Sequence, residues 1–233
     1  MNDVYDLDFD YEDEAEEAAV APLLGKKSKI THVWERDEFD FYVEPERVTD
    51  ALLTVERFSG VTLDPCCGSG NIVRALLRAG CVAHGRDLVE RPGQSQPWFL
   101  GTRDFLGGGP VEGMAANIVS NPPFFSGEGT EKFIRTALAS ARSKVAVFTD
   151  VRFLFSTERL EGLYRELPPA RVHLLSPRVS CPPGKMLEAG GKPNAGTASW
   201  VWLVWDFTAP HAGTSLHWVK VPPVARAGKA VAP

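Results

Sequence analysis

The sequence predicts an open α/β fold, a mostly parallel sheet with helices on both faces. Three observations predict it. Short apolar runs with strand character recur along the chain, separated by stretches whose apolar residues keep helical spacing. A strand, a glycine turn, a helix and a second strand fit within residues 61–87, the order and length of a right-handed parallel crossover. Finally, Ser199-Trp200-Val201-Trp202-Leu203-Val204-Trp205-Asp206 is a long aromatic and β-branched run, the composition of a buried strand.

Each element follows from its residues. Asp40-Phe41-Tyr42-Val43-Glu44-Pro45 reads as extended, because proline disfavours helix at the residue before it. Val48, Leu52, Leu53 and Val55 follow with helix-like spacing, up to the turn at Ser59-Gly60. Val61-Thr62-Leu63-Asp64 is the first strand. Ile72, Val73, Leu76 and Leu77 share one helical face, Arg74 and Arg78 lie opposite, and Gly80 ends the helix. Cys81-Val82-Ala83-His84-Gly85 is the second strand and closes on Asp87.

The pattern repeats downstream. Asn117-Ile118-Val119-Ser120 is a strand leading into Asn121, and Phe133, Ile134, Ala137, Leu138 and Ala141 mark a helix. Residues 145–148 form a strand, 157–166 a helix and 172–175 a strand. The segment 177–198 breaks the rhythm with Pro177, Pro182, Pro183, Gly184, Gly190, Gly191, Pro193 and Gly196. A loop this long in a compact domain is functional or disordered. Residues 207–233 read as a frayed C-terminal tail. Trp200, Trp202 and Trp205 are expected in the core rather than as stacking platforms for bases.

Composition sets further bounds. The chain has 233 residues, 44% of them hydrophobic, enough for one domain with a sizeable core. No apolar run approaches the ~20 residues needed to span a bilayer, and the acidic N-terminus lacks the form of a secretion signal. Cys66, Cys67, Cys81 and Cys181 show no metal-ligand spacing, so no metal is expected, and reduced thiols suit a cytoplasmic location. Nine of the 30 acidic residues fall within the first 20 positions, which hold no Lys or Arg. The remaining 21 face 25 basic ones, so the body of the protein carries an excess of about four positive charges. Residues 1–30 are therefore expected to be a disordered acidic leader with a basic link, followed by a domain over 31–206.

Two motifs carry the chemistry. Asp64-Pro65-Cys66-Cys67-Gly68-Ser69-Gly70 joins a strand to a helix. Gly68 and Gly70 allow close approach or positive φ there, and the helix directs free N–H groups into the turn. The turn lacks the Lys-Ser/Thr ending of a P-loop and the GxGxxG spacing of a dinucleotide site. Asp87, at the second strand end, is placed to accept hydrogen bonds from ribose hydroxyls. Asp104 can take an adenine amine, with Phe105 as a wall. Asn121-Pro122-Pro123-Phe124 is the second motif. The Asn121 side-chain oxygen and the Pro122 carbonyl are two acceptors for one flat NH2 group, and the two prolines stiffen the backbone that holds them. Phe124 offers a stacking face for a base, or π-density for a cation.

The glycine turn, acidic strand end, Asp-Phe pair and Asn-Pro-Pro-Phe sequence occur in the order found in N6-adenine DNA methyltransferases that use S-adenosylmethionine (AdoMet), and residues 40–206 resemble that family in its small, phage-type form. The resemblance implies a Rossmann-like class I methyltransferase fold. It also implies AdoMet as cofactor and methyl transfer to adenine N6 in DNA. Asp64, Cys66, Gly68, Gly70, Asp87, Asp104 and Phe105 would then serve the cofactor, and Asn121, Pro122, Pro123 and Phe124 catalysis, with Phe124 also contacting the base. Tyr42-Val43-Glu44-Pro45 occupies the position of the family motif preceding the cofactor turn. A small hydroxyl residue often stands where this chain has Glu44, which would sit awkwardly beside a cofactor carboxylate and is left out of the expected binding residues.

Segment 177–198 falls where a target-facing loop would sit. Its Arg178, Lys185 and Lys192 are either phosphate contacts or ordinary exposed charges. No segment is large enough for a conventional target-recognition module. The partner expected is DNA, with no membrane; a monomer is assumed and the oligomeric state left open. RNA adenine-N6 and protein glutamine N5 methyltransferases share the clamp and stay as alternatives, as does a non-catalytic AdoMet- or nucleic-acid-binding module.

Overall fold

The computed structural model describes residues 41–224, apart from 92, 112, 125–127, 194, 195, 197 and 210–212. The acidic leader, the expected domain start near residue 31 and the tail beyond 224 lie outside the described residues.

Among the described residues the first helix is α1 (Glu46–Val55), which follows the extended Pro45 and buries Val48, Ala51 and Leu52. Strand β1 (Thr62–Asp64) leads through the glycine turn into α2 (Asn71–Arg78), whose Ile72, Val73 and Leu76 are buried. Strands β2 (Ala83–Asp87), β3 (Phe99–Thr102) and β4 (Ala115–Ser120) follow. Then come α3 (Glu128–Ser140), β5 (Ala141–Asp150) and a 3-10 turn over Val151–Leu154. The predicted helix over 157–166 is two short ones, α4 (Thr157–Glu161) and α5 (Leu163–Glu166), broken at Gly162. Strand β6 (Arg171–Ser176), helix α6 (Gly184–Glu188), β7 (Trp200–Asp206) and β8 (Ser215–Lys220) complete the order.

The eight strands form one sheet in the order β3-β2-β1-β4-β5-β7-β6-β8. Pairing is parallel except for β7, which runs antiparallel to β5 and β6. Helices α1 and α2 pack on one face, over Val119, Ala146, Phe148 and Trp202. Helix α3 packs on the other, over Ile118, Val145, Val147 and Leu203. Neighbouring strand residues thus serve opposite cores, as the two-residue period of a strand requires. All seven residues of β7 are buried, which accounts for its apolar run. Trp200, Trp202 and Trp205 are core, as expected, and each indole N–H finds a backbone carbonyl.

Two expectations need correction. The region read as a frayed tail contributes β8, paired in parallel with β6 across Arg171↔Ser215 to Ser176↔Lys220. It is an edge strand with only Val219 buried, so its sequence carries little apolar alternation. The loop 177–198 is also not wholly irregular. It contains α6, and Pro183 bridges to Tyr42 while the Gly184 N–H donates to the Phe41 carbonyl. No helix among the described residues is long and apolar enough to cross a membrane.

Candidate active site

In an open parallel sheet, ligands collect beyond the strand carboxyl ends, where the strand order reverses direction. Here the reversal lies between β1 and β4, the strands that carry the glycine turn and the Asn-Pro-Pro-Phe sequence. A cleft with about 790 Å³ of empty space, its solvent-open mouth included, lies at that point. Its walls come from both motifs: Cys66, Gly68, Asp87, Asp104, Phe105, Asn121 and Pro123 all line it.

Gly68 has φ +52, and a Cβ there would stand 2.7 Å from the Phe41 ring. Glycine is therefore needed for both conformation and close packing. Its N–H donates to Asp87 Oδ2 at 2.7 Å, and the other Asp87 oxygen accepts from the Val89 N–H. The second strand end thus braces the first turn, while the carboxylate keeps a face on the cleft. Asp104 is exposed and accepts from the Gly107 N–H, whereas Phe105 is buried against Phe133. Leu88, Val89, Phe105 and Leu106 give this end of the cleft apolar walls.

Two expected cofactor residues sit differently. Asp64 is buried behind the turn, 1% exposed, and does not line the cleft; it accepts from the Ser120 hydroxyl at 2.6 Å and from the Cys66 N–H. Burial pushes its carboxyl well above the usual carboxylate range; the Ser120 hydroxyl opposes this and the charge of Glu44 adds to it. Gly70 also lies outside the lining. Its φ is +85, and a Cβ would fall 2.3 Å from the Trp98 indole, so this glycine serves packing and the entry to α2. Cys66 lines the cleft, and burial raises its thiol pKa.

At the end of β4, the Asn121 Nδ2 donates to the Tyr42 carbonyl at 2.9 Å and to Glu44 Oε2 at 2.7 Å. Its Oδ1 is buried and has no hydrogen-bond partner among the described residues. A buried acceptor left unmet costs about 1–3 kcal/mol and asks for an explanation. A donor brought in by a ligand would supply one. Pro122 is buried and Pro123 lines the cleft. Phe124 packs between Tyr42 and Trp200, each at 6.0 Å between ring centroids.

Glu44 is the residue that the sequence reading left out. It lines the cleft and is only 6% exposed; burial lifts its carboxyl to about 7, against the opposing hydrogen bond from Asn121. It was set aside for its charge, and its contact with Asn121, 77 residues away in sequence, carries no local signal. Arg91 was also missed. It lines the cleft with its guanidinium 3.8 Å from the centre of the Phe41 ring, and its Nε lies 3.8 Å from Asp87 Oδ1 as an ion pair, with no hydrogen-bond partner among the described residues. Arg178, Lys185 and Lys192 are exposed, on the segment that follows β6. None forms an ion pair among the described residues. Lys185 is next to Gly184, which abuts the Phe41 wall of the cleft.

No family model matches this sequence, nor does any curated protein. Solved structures do resemble it in shape. One, described as a modification subunit of a type I restriction enzyme from Vibrio vulnificus, superposes with TM-score 0.53 at 15% identity, over 79% of this chain and 48% of that one. This chain therefore spans about half the length of that subunit. A protein described as an RNA methyltransferase from Pyrococcus horikoshii gives 0.47 at 11% identity, over 69% and 80% of the two chains. A TehB-like SAM-dependent methyltransferase from Corynebacterium glutamicum gives 0.43 at 16%, over 70% and 87%. The fold is the Rossmann-like class I methyltransferase fold, as the strand order and the first of these superpositions show.

Proposed function

We propose that this protein transfers a methyl group from AdoMet to the exocyclic N6 amine of adenine in DNA. One observation carries the reading: a buried, unpartnered Asn121 Oδ1, backed by acceptors on its nitrogen side, in the same cleft as the glycine turn. The ordered motifs of the sequence support it independently.

The residues present fit AdoMet. Asp87 would accept from a ribose diol, Asp104 from an adenine amine, and the slot formed by Leu88, Val89, Phe105 and Leu106 suits a flat ring. Gly68 and Cys66 would pass close to the amino-acid portion. When bound, AdoMet supplies an electrophilic methyl group on a sulfonium. The chain's own work is to prepare the acceptor. The lone pair of an adenine amine is delocalised into the ring. The Asn121 Oδ1 and the Pro122 carbonyl hold the two N–H groups so that the nitrogen pyramidalises and its lone pair faces the methyl carbon. Phe124 forms the wall against which the base rests. The excess proton of the methylated amine leaves to solvent. In duplex DNA the base must first leave its stack, at a cost of a few kcal/mol. The exposed cations of the 177–198 segment would then contact phosphates.

Incubation with methyl-labelled AdoMet and separate DNA, RNA and protein acceptors tests this. Label is expected on adenine N6 of DNA, and Asn121→Ala should slow its transfer by about 10²–10³. Transfer confined to RNA or to glutamine would replace the proposed substrate.

A further inference from the structure

The amide of asparagine has an acceptor end and a donor end of nearly the same shape, and only its hydrogen-bond partners decide which way it faces. For Asn121 the direction decides the chemistry. With Oδ1 toward the cleft it accepts from an amine; reversed, it presents an NH2 that repels one. Two groups stand behind it, the Tyr42 carbonyl and the Glu44 carboxylate. A carbonyl can only accept, and so can an ionised carboxylate.

We infer that Glu44 is the positioning residue of this clamp: its ionised carboxylate locks the Asn121 amide with Nδ2 turned inward and Oδ1 turned to the cleft. This rests on the methyl-transfer reading and assigns a part to a residue that the motifs did not mark. A protonated Glu44 weakens the lock, because its O–H can donate to Oδ1 and only the Tyr42 carbonyl then still demands the inward Nδ2. Glu44 is held in place from behind, where its backbone carbonyl accepts from the Asn71 Nδ2 at 2.6 Å.

The charges around Glu44 set where the lock fails. Burial is the largest influence and favours the neutral acid, bringing the carboxyl to about 7. Arg74 on α2 favours the ionised form, and Glu46 at the start of α1 opposes it. Asp64 at the end of β1 also repels it, although burial drives Asp64 itself toward the neutral form. Cys181, beyond β6, has its thiol kept neutral by burial and by Glu44. The clamp is therefore expected to loosen within one unit of neutrality.

Two readouts on the full chain test this. In nitrogen-15 spectra without cofactor, the Asn121 side-chain amide, identified by its loss in Asn121→Ala, should shift with a midpoint near pH 7 and stay still in Glu44→Gln. In parallel, wild-type kcat/KM on adenine DNA should fall about tenfold from pH 8 to pH 6, the factor expected when a group of pKa about 7 must be ionised. Glu44→Gln mimics the protonated acid. It should show no such limb and run at about the wild-type low-pH rate. Glu44→Ala should be slower still, about 10–100-fold below wild type at pH 8, the range for losing a charged hydrogen bond. If Glu44→Ala does not fold, Glu44→Gln alone decides. A still Asn121 amide in the wild type, or a Glu44→Gln enzyme with the wild-type rate and pH profile, overturns the inference. A titrating amide in a protein that methylates no acceptor supports the lock and counts against the reaction alone.

Discussion

The two ends of the sheet treat buried charge in opposite ways. At the amino ends of β5 and β6, Glu56 is paired with Arg171, Lys144 and His173, and Asp206 with Arg171 and Lys144. Burial works to raise the Glu56 carboxyl, but hydrogen bonds from His173, Arg171 and Lys144 overcome it and hold it at about 2. Asp206 is lowered too, against burial, by hydrogen bonds from Thr208 and Arg171 and by the charge of Lys144. At the carboxyl ends, Glu44 and Asp64 are as deeply buried yet form no ion pair among the described residues, and burial raises both. One end is closed and internally neutralised. The other keeps carboxylates and an unmet acceptor beside an open cleft. Cations meet the acidic side chains at one end, whereas hydroxyl, amide and backbone donors meet Asp64 and Glu44 at the other.

The largest effect should come from breaking the closed end. Glu56→Ala would leave Arg171 and Lys144 with Asp206 as their one carboxylate in the cluster and take the carboxylate from His173, and is expected to cost about 3–5 kcal/mol of stability, read by denaturant unfolding. The folded fraction should still bind AdoMet normally. Acid should act in the same direction. The folded pKa of Glu56 lies below its ordinary 4.5, so its contribution is complete above that pH and is lost as pH falls toward 2.

Next comes the open end. Asn121→Ala should lower kcat by about 10²–10³, the scale of removing one preorganised polar group from an active site, and leave the melting temperature near the wild-type value. Equal losses of stability and rate would place Asn121 with the structural cluster instead.

A smaller effect has the opposite sign. Glu44 has a folded pKa of about 7 against an ordinary 4.5. Its stabilising contribution is therefore present below pH 4.5 and is lost as pH rises through 7. Glu44→Gln should then stabilise the fold by about 1–3 kcal/mol at pH 8, with little change at pH 5. Thermal melts at the two pH values check this. Stabilisation at pH 8 together with slower transfer would mark Glu44 as a residue kept for the reaction at the expense of the fold.

The smallest effect belongs to the 177–198 segment. Lys185→Ala should weaken DNA binding by less than about 1 kcal/mol and reduce the salt slope of log K by about one. An unchanged slope would make Lys185 an ordinary exposed charge.

The comparison also explains what the sequence could and could not disclose. The β1–turn–α2–β2 unit was legible because Ile72, Val73, Leu76 and Gly80 follow helix rules, and β7 because both its faces are buried. Strand β3 escaped notice because Phe99-Leu100-Gly101-Thr102 alternates half-buried with exposed residues and includes a glycine. Strand β8 escaped because an edge strand pairs on one side and exposes Leu216 and Trp218. Within the cleft, Gly68, Asp87 and Asn121, which local sequence patterns singled out, all reach its walls. Gly70 was given a ligand role from its spacing, although its neighbour is Trp98, brought in by a later loop. Glu44, Arg91 and the whole Glu56 cluster depend on contacts across the fold, which no local pattern contains.

A crystal structure with a non-reactive AdoMet analogue and an adenine-bearing oligonucleotide tests the central claim most directly. The account predicts the adenine amine nitrogen within hydrogen-bonding distance of both Asn121 Oδ1 and the Pro122 carbonyl, with Glu44 still behind the amide. An adenine seated elsewhere, or an Asn121 turned so that its nitrogen faces the base, would contradict it.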